Sequence, residues 1–121
     1  MSKITKLDDL EIYSESIKLA KVVFDICKNS RLNREYSLCD QLKRAAISVS
    51  ANIAEGFGRR TKADFSHFLS ISISSSNEIL ALIDIIKVNF EDIEAKSIKD
   101  RYIVLGRRMY AFRRKLLNSN N

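Results

Sequence analysis

The chain predicts an all-α fold, an antiparallel up-down-up-down four-helix bundle that takes up residues 1–121 as a single domain, and three observations predict it. The 121 residues include no proline and only Gly56, Gly58 and Gly106, too few turn formers for the many tight turns of a β fold. Apolar residues recur at gaps of three and four along four segments, the spacing that keeps them on one face of an α-helix. The segments between them are short and polar, which sets successive helices side by side as antiparallel neighbours. A chain of this length is long enough for one hydrophobic core and too short for two.

The first helix is expected to start near Asp8 and Asp9, whose carboxylates suit the positive end of a helix. Tyr13, Ile17, Ala20, Phe24 and Cys27 follow at gaps of four, three, four and three, the seam of a packed helix. Asn29 to Asn33 form a polar loop. The second helix runs from about Tyr36 to Phe57, where Gly56 and Gly58 are expected to end it with a residue of positive φ. The third opens at Thr61, with Asp64 three residues on in a loose capping box. Phe65, Leu69, Ser72, Ser76, Ile79, Ile83, Ile86 and Phe90 then continue the rhythm, with Phe68, Ser75 and Leu82 in a second line and Ile73 and Leu80 in a third. From Ile79 to Val88 only Asp84 and Lys87 are charged, so the helix is apolar nearly all round. That pattern demands burial on more than one side, so Ile79, Leu82, Ile83 and Ile86 are expected at an interface between copies of a homo-oligomer. A charged connection, Asn89 to Lys99, leads to a fourth helix defined by Ile98, Tyr102, Leu105, Met109, Phe112 and Leu116. The closing Asn-Ser-Asn-Asn run is expected to fray.

Catalysis lacks its usual parts. His67 is the only histidine and has no carboxylate or cysteine at ligand spacing. Gly56-Phe57-Gly58 lacks both the longer glycine pattern and the preceding strand of a phosphate loop, and Glu55, Glu78 and Glu94 have no histidine three residues on, as a di-iron bundle requires. The expectation is no enzyme, no metal and no cofactor. The serines of the third helix, Ser66, Ser70, Ser72, Ser74, Ser75 and Ser76, are read as bonding back to carbonyls of the preceding turn and letting a neighbouring helix approach. Cys27 and Cys39 lie on apolar faces in a chain without a secretory opening, which reads as buried free thiols in the cytoplasm. No run approaches the ~20 apolar residues of a membrane span, so a soluble protein is expected.

Charge and polarity direct attention to the second and fourth helices. Residues 31–62 hold seven basic and three acidic residues and residues 101–121 six basic and none acidic, whereas residues 63–100 hold three basic and seven acidic. Lys43, Arg44, Arg59, Arg60 and Lys62 flank one helix junction, and Arg107, Arg108, Arg113, Arg114 and Lys115 line the last helix. The planar fork of arginine favours phosphate, so these are candidates for nucleic-acid binding through backbone charge and shape. On the second helix Gln41, Arg44, Ser48, Asn52, Glu55 and Arg59 fall within an arc of roughly 80° at ~100° per residue. Short amides and hydroxyls in such a stripe suit a hydrogen-bonded contact, so Gln41, Ser48, Asn52 and Glu55 are read as a structural polar network.

Residues 41 to 60, QLKRAAISVSANIAEGFGRR, resemble the pattern QLRRAAxSIPxNIAEGxGR of four-helix-bundle proteins encoded in intervening sequences of bacterial 23S ribosomal RNA genes. Gln41, Leu42, Arg44, Ala45, Ala46, Ser48, Asn52 to Gly56, Gly58 and Arg59 match. Phe65, Phe68, Leu69, Ser75, Glu78 and Leu82 match a second block, with Ser72 and Ser74 where Ala and Gly are usual. Ser50 stands for the usual proline, Lys43 for the first arginine of a pair and Tyr13 for a frequent tryptophan. The resemblance implies a left-turning bundle in a ring-like homo-oligomer, a pentamer, and a kinship with the nucleic-acid-binding accessory protein of diversity-generating retroelements. It names no activity for the family. Two functions follow as expectations: an oligomer that binds RNA or DNA, or a protein-interaction scaffold whose arginines pair with the acidic third helix of a neighbour.

Overall fold

The computed structural model describes residues 6–119, in which there are four α-helices and no strand. They are α1 (Glu11–Ile26), α2 (Tyr36–Phe57), α3 (Lys62–Asn89) and α4 (Lys96–Asn118), with short 3-10 turns at Leu7–Asp9 and Leu32–Arg34. Met1–Thr5, and Asn120 and Asn121 of the run expected to fray, lie outside the described residues. The most extensive packing is α2 on α3, followed by α3 on α4, α1 on α2 and α1 on α4. A single buried cluster collects Leu19 and Val23 of α1, Leu42, Val49 and Ile53 of α2, Leu69, Ile79 and Ile83 of α3, and Tyr102, Leu105 and Met109 of α4.

The expected bounds of α2 are observed, and so is the start of α3. There the Thr61 hydroxyl accepts from the Asp64 amide at 3.1 Å, satisfying one of the amides a helix start leaves free. The first helix differs. Asp8 and Asp9 sit in the 3-10 turn, and α1 begins after the buried Leu10 with no side-chain cap. Its buried line is Ile12, Ser16, Leu19 and Val23, ending at Cys27; Ile17 and Phe24 are exposed. The expected seam is therefore rotated by roughly 80° from the real one at ~100° per residue. The cause is Ser16, which looks like a surface residue but is fully buried. Its hydroxyl donates to the Tyr13 carbonyl at 2.6 Å and accepts from Ser50 at 2.9 Å, so the serine in place of proline on α2 ties that helix to α1.

No residue with positive φ occurs among the described residues, so the glycines do not end α2 in the way expected. Gly56 serves close approach instead. A Cβ there would lie 2.8 Å from Phe65 Cδ1 and 2.9 Å from Phe68 Cβ on α3, inside van der Waals contact. Gly106 of α4 is different: a Cβ there would meet only Ser76 Oγ, at 3.7 Å. Gly56→Ala should therefore lower stability by about 1–3 kcal/mol through overpacking, while Gly106→Ala should be neutral or stabilising by up to about 1 kcal/mol, as alanine is the better helix former. Thermal melts of the two variants check this; a parent-like melt for Gly56→Ala would refute the tight α2–α3 contact.

The α3 serines depart from the reading as back-bonded residues. Only Ser70 bonds to its own preceding turn, at the Ser66 carbonyl; Ser72 reaches the Val49 carbonyl at 2.8 Å and Ser76 the Tyr102 carbonyl at 3.4 Å. They fasten α3 to α2 and to α4. The α3 residues expected at an interface between copies require correction: Ile79, Leu82, Ile83 and Ile86 are all buried in the chain's own core cluster, which leaves them little or no surface for a partner. The exposed apolar residues of that stretch are Ile85 and Val88. With 28 residues, α3 is also long and apolar enough to cross a membrane by length and composition, contrary to the reading that no run approaches a span. Its most apolar face is the one turned into the bundle.

Candidate functional site

The polar stripe of α2 divides by burial, Ser48 and Asn52 half-buried and Gln41 and Glu55 exposed. Ser48 Oγ lies 2.7 Å from Ser75 Oγ across the α2–α3 interface, and Asn52 Nδ2 donates to the Ser48 carbonyl at 2.9 Å and to its hydroxyl at 3.1 Å. This half-buried set is a true network. Gln41 and Glu55 are exposed and outside it: Gln41 makes one long contact to Ser37 Oγ at 3.5 Å, and Glu55 pairs with Arg59 at 2.6 Å. Asn52→Ala should accordingly cost about 1 kcal/mol by leaving partners unsatisfied, and Glu55→Ala no more than about 0.5 kcal/mol, as for an exposed i, i+4 pair. Equal shifts in thermal melts of the two variants would contradict this division.

The basic residues fall into separate environments. Lys43 is half-buried with its Nζ 5.3 Å from the Phe24 ring centre, and Arg44 pairs with Asp40 at 2.8 Å. Both lie about 22 Å along the α2 axis from Arg59 at ~1.5 Å per residue, so they are not part of the junction cluster. At the other end of α2 the chain brings together what the sequence separates by fifty residues. Lys62 Nζ donates to Ser119 Oγ at 2.8 Å, Arg113 Nε to the Ser66 carbonyl at 3.2 Å, and the Phe65 and Phe112 rings meet at 5.6 Å. One end of the bundle thus gathers Arg59, Arg60, Lys62, Arg113, Arg114 and Lys115 against the carboxylates of Glu55 and Asp64. Arg59 is held there by Glu55 and by the Phe68 ring, 4.8 Å from its guanidinium carbon. Arg60, Arg114 and Lys115 are exposed and have no side-chain partner among the described residues.

The α4 arginines point in different directions. Arg113 is used in the contact with α3, and Arg108 borders a groove with Asp8, Asp9, Glu11 and Glu15 beside α1, where acidic neighbours offset its charge. Arg107 and Arg114 share the outer face of α4 with Tyr110, which is 55% exposed and sits three residues after one and four before the other. That aromatic position was missed in the sequence; its signal is the same three-four spacing, running through arginines. The acidic residues around the end of α3 are largely occupied within the chain: Asp84 pairs with Lys99, Asp92 with Arg31 and Asp100 with Lys96.

His67 is exposed, its ring edge-on to Phe68. Cys27 and Cys39 are buried free thiols. Burial and the neighbouring Cys39 sulfur push the Cys27 thiol up to about 12, so it stays protonated at neutral pH. No group of three or more His, Cys, Asp or Glu among the described residues could hold a metal ion.

Residues 8–111 match the family described as 23S rRNA-intervening sequence protein. A solved structure, a protein with unknown function from the S23 ribosomal protein family of Bacteroides thetaiotaomicron VPI-5482, has the same fold at a TM-score of 0.77 and 19% identity, over 84% of this chain and 97% of that one. No curated protein matches by sequence.

Proposed function

The chain belongs to the 23S rRNA-intervening sequence protein family, and from that membership we propose a non-enzymatic, cytoplasmic homo-oligomer that binds RNA or DNA through the basic end of an up-down-up-down antiparallel bundle. The observation that carries the proposal is the meeting of the α2–α3 junction with the end of α4, made concrete by the Lys62–Ser119 and Arg113–Ser66 contacts. Six basic side chains against two carboxylates make a surface suited to phosphates. The intrachain pairing of Asp84, Asp92 and Asp100 leaves fewer carboxylates for a neighbour's arginines, which favours nucleic acid over the scaffold. Short connections and contacts between successive helices support the antiparallel order. Kinship with the accessory protein of diversity-generating retroelements rests on the sequence resemblance.

The proposed assembly is a ring, five copies by the same resemblance. Its contact faces are the exposed apolar residues: Ile85 and Val88 on α3, and Ile17, Phe24 and Ile47 on α1 and α2. A ring requires each copy to meet the next through two different patches, a heterologous contact, so the α3 pair would face the α1–α2 set of the next copy. The test of function is retardation of labelled RNA and DNA by the purified protein at low salt, with a mobility shift expected that fades as salt rises. If neither polymer is retarded, nucleic-acid binding is wrong and the scaffold takes its place.

A further inference from the structure

Building on the nucleic-acid reading, we propose that the outer face of α4 holds an unpaired base of a single strand, with Tyr110 as the stacking platform and Arg107 and Arg114 on the phosphates to either side. Tyr110 is 55% exposed, and the two arginines at its i−3 and i+4 positions have no ion-pair partner among the described residues. An aromatic ring between two cations on one helix face is the pattern that grips single strands, where bases stack and the backbone follows the positive charge.

The space beside the ring is consistent with this. An open groove of about 370 Å³ runs between α3 and α4, with Leu80 and Ile103 supplying apolar surface, Asn77 an amide for a base edge, and Arg107 and Tyr110 lining it as well. Gly106 also lines the groove, and a glycine inside a helix costs about 1 kcal/mol relative to alanine. Packing within the chain does not require it, as a Cβ would meet nothing closer than Ser76 Oγ at 3.7 Å. Its lack of a side chain keeps the groove open for a flat ligand. A duplex cannot use the site, because its bases are stacked and paired inside. Arg114 lies one turn beyond Tyr110 on α4, toward the end of the helix that meets Lys62 and Ser66.

The experiment compares an unstructured single-stranded oligonucleotide with the duplex of the same sequence at one salt concentration, using the full chain. The parent should prefer the single strand. Tyr110→Ala should lower single-strand affinity about ten- to a hundredfold and leave duplex affinity unchanged, while Tyr110→Trp should keep the preference and show fluorescence quenching on binding. Light scattering on Tyr110→Ala should match the parent. Unchanged or equal losses on both substrates overturn the stacking site but leave backbone binding standing. Dissociation of the assembly by Tyr110→Ala overturns it in favour of a second copy in the groove, and a parent that binds neither substrate overturns it together with the nucleic-acid reading.

Discussion

Replacing Ile83 by Asp should unfold the chain, whatever its state of association. Ile83 has no exposed surface and sits in the cluster where α2, α3 and α4 meet. A carboxylate there has no partner, and an uncompensated buried charge costs about 3–5 kcal/mol, a large part of the roughly 5–15 kcal/mol by which a folded domain is stable. Helical circular dichroism should be much reduced at room temperature, with the melt broadened or lost. Two residues on, Ile85→Asp should behave otherwise. Ile85 is about half exposed, so its carboxylate keeps its water and the helices should survive. If the ring uses this face, light scattering should then show a smaller particle than the parent with unchanged helicity. A folded Ile83→Asp would contradict the core described for α3. A parent-sized Ile85→Asp would remove Ile85 from the assembly face.

This contrast marks what the sequence could and could not disclose. On α3 and α4 the three-four spacing runs along the line that is buried, through Leu69, Ile79, Ile83, Leu105 and Met109, but spacing alone does not separate a face buried within the chain from one buried between copies, and so it assigns Ile79 and Ile83 to an interface. On α1 the spacing admits two lines, and the larger side chains lie on the wrong one. Burial of Ser16 depends on Ser50, thirty-four residues away. Such a pair is invisible to local periodicity. The glycines show the same limit. A glycine at a helix end suggests a positive φ, but whether it serves the backbone or a neighbouring ring depends on Phe65 and Phe68, which belong to another helix.

The candidate site was legible as composition and not as a place. Charge counts singled out the two segments whose ends meet in the fold, yet joining Lys43 and Arg44 to the junction cluster ignored the length of the helix between them. Chain order likewise hid the meeting of Lys62 with Ser119 and of Arg113 with Ser66. Helical phase separates the α4 arginines further: Arg108 faces the acidic start of α1, while Arg107 and Arg114 do not. The intrachain partners, known only from the fold, decide which cations remain for a ligand.

Those partners also sharpen the expected effect on binding. Replacing Arg60, Arg107, Arg114 and Lys115 by Gln removes cations that no described contact within the chain uses, so helicity and melting temperature should stay close to the parent. Each phosphate contact releases counterions, and log K falls with log salt at a slope near −0.7 per contact on single strands and −0.9 on duplexes. Loss of up to four contacts should therefore flatten the slope by up to about 3–4 and, at ~0.1 M salt, weaken binding by up to roughly a thousandfold. The loss should be similar for every sequence, because phosphates carry no sequence information. Arg44→Gln is the control. Its guanidinium pairs with Asp40, far along α2 from the basic end, so its affinity and slope should stay near those of the parent. If Arg44→Gln weakens binding as much as the quadruple variant, the polymer is spread along α2 and the end surface is not the site. If the quadruple variant keeps full affinity and slope, the basic end has no part in binding, and its charges must be assigned to contacts between subunits.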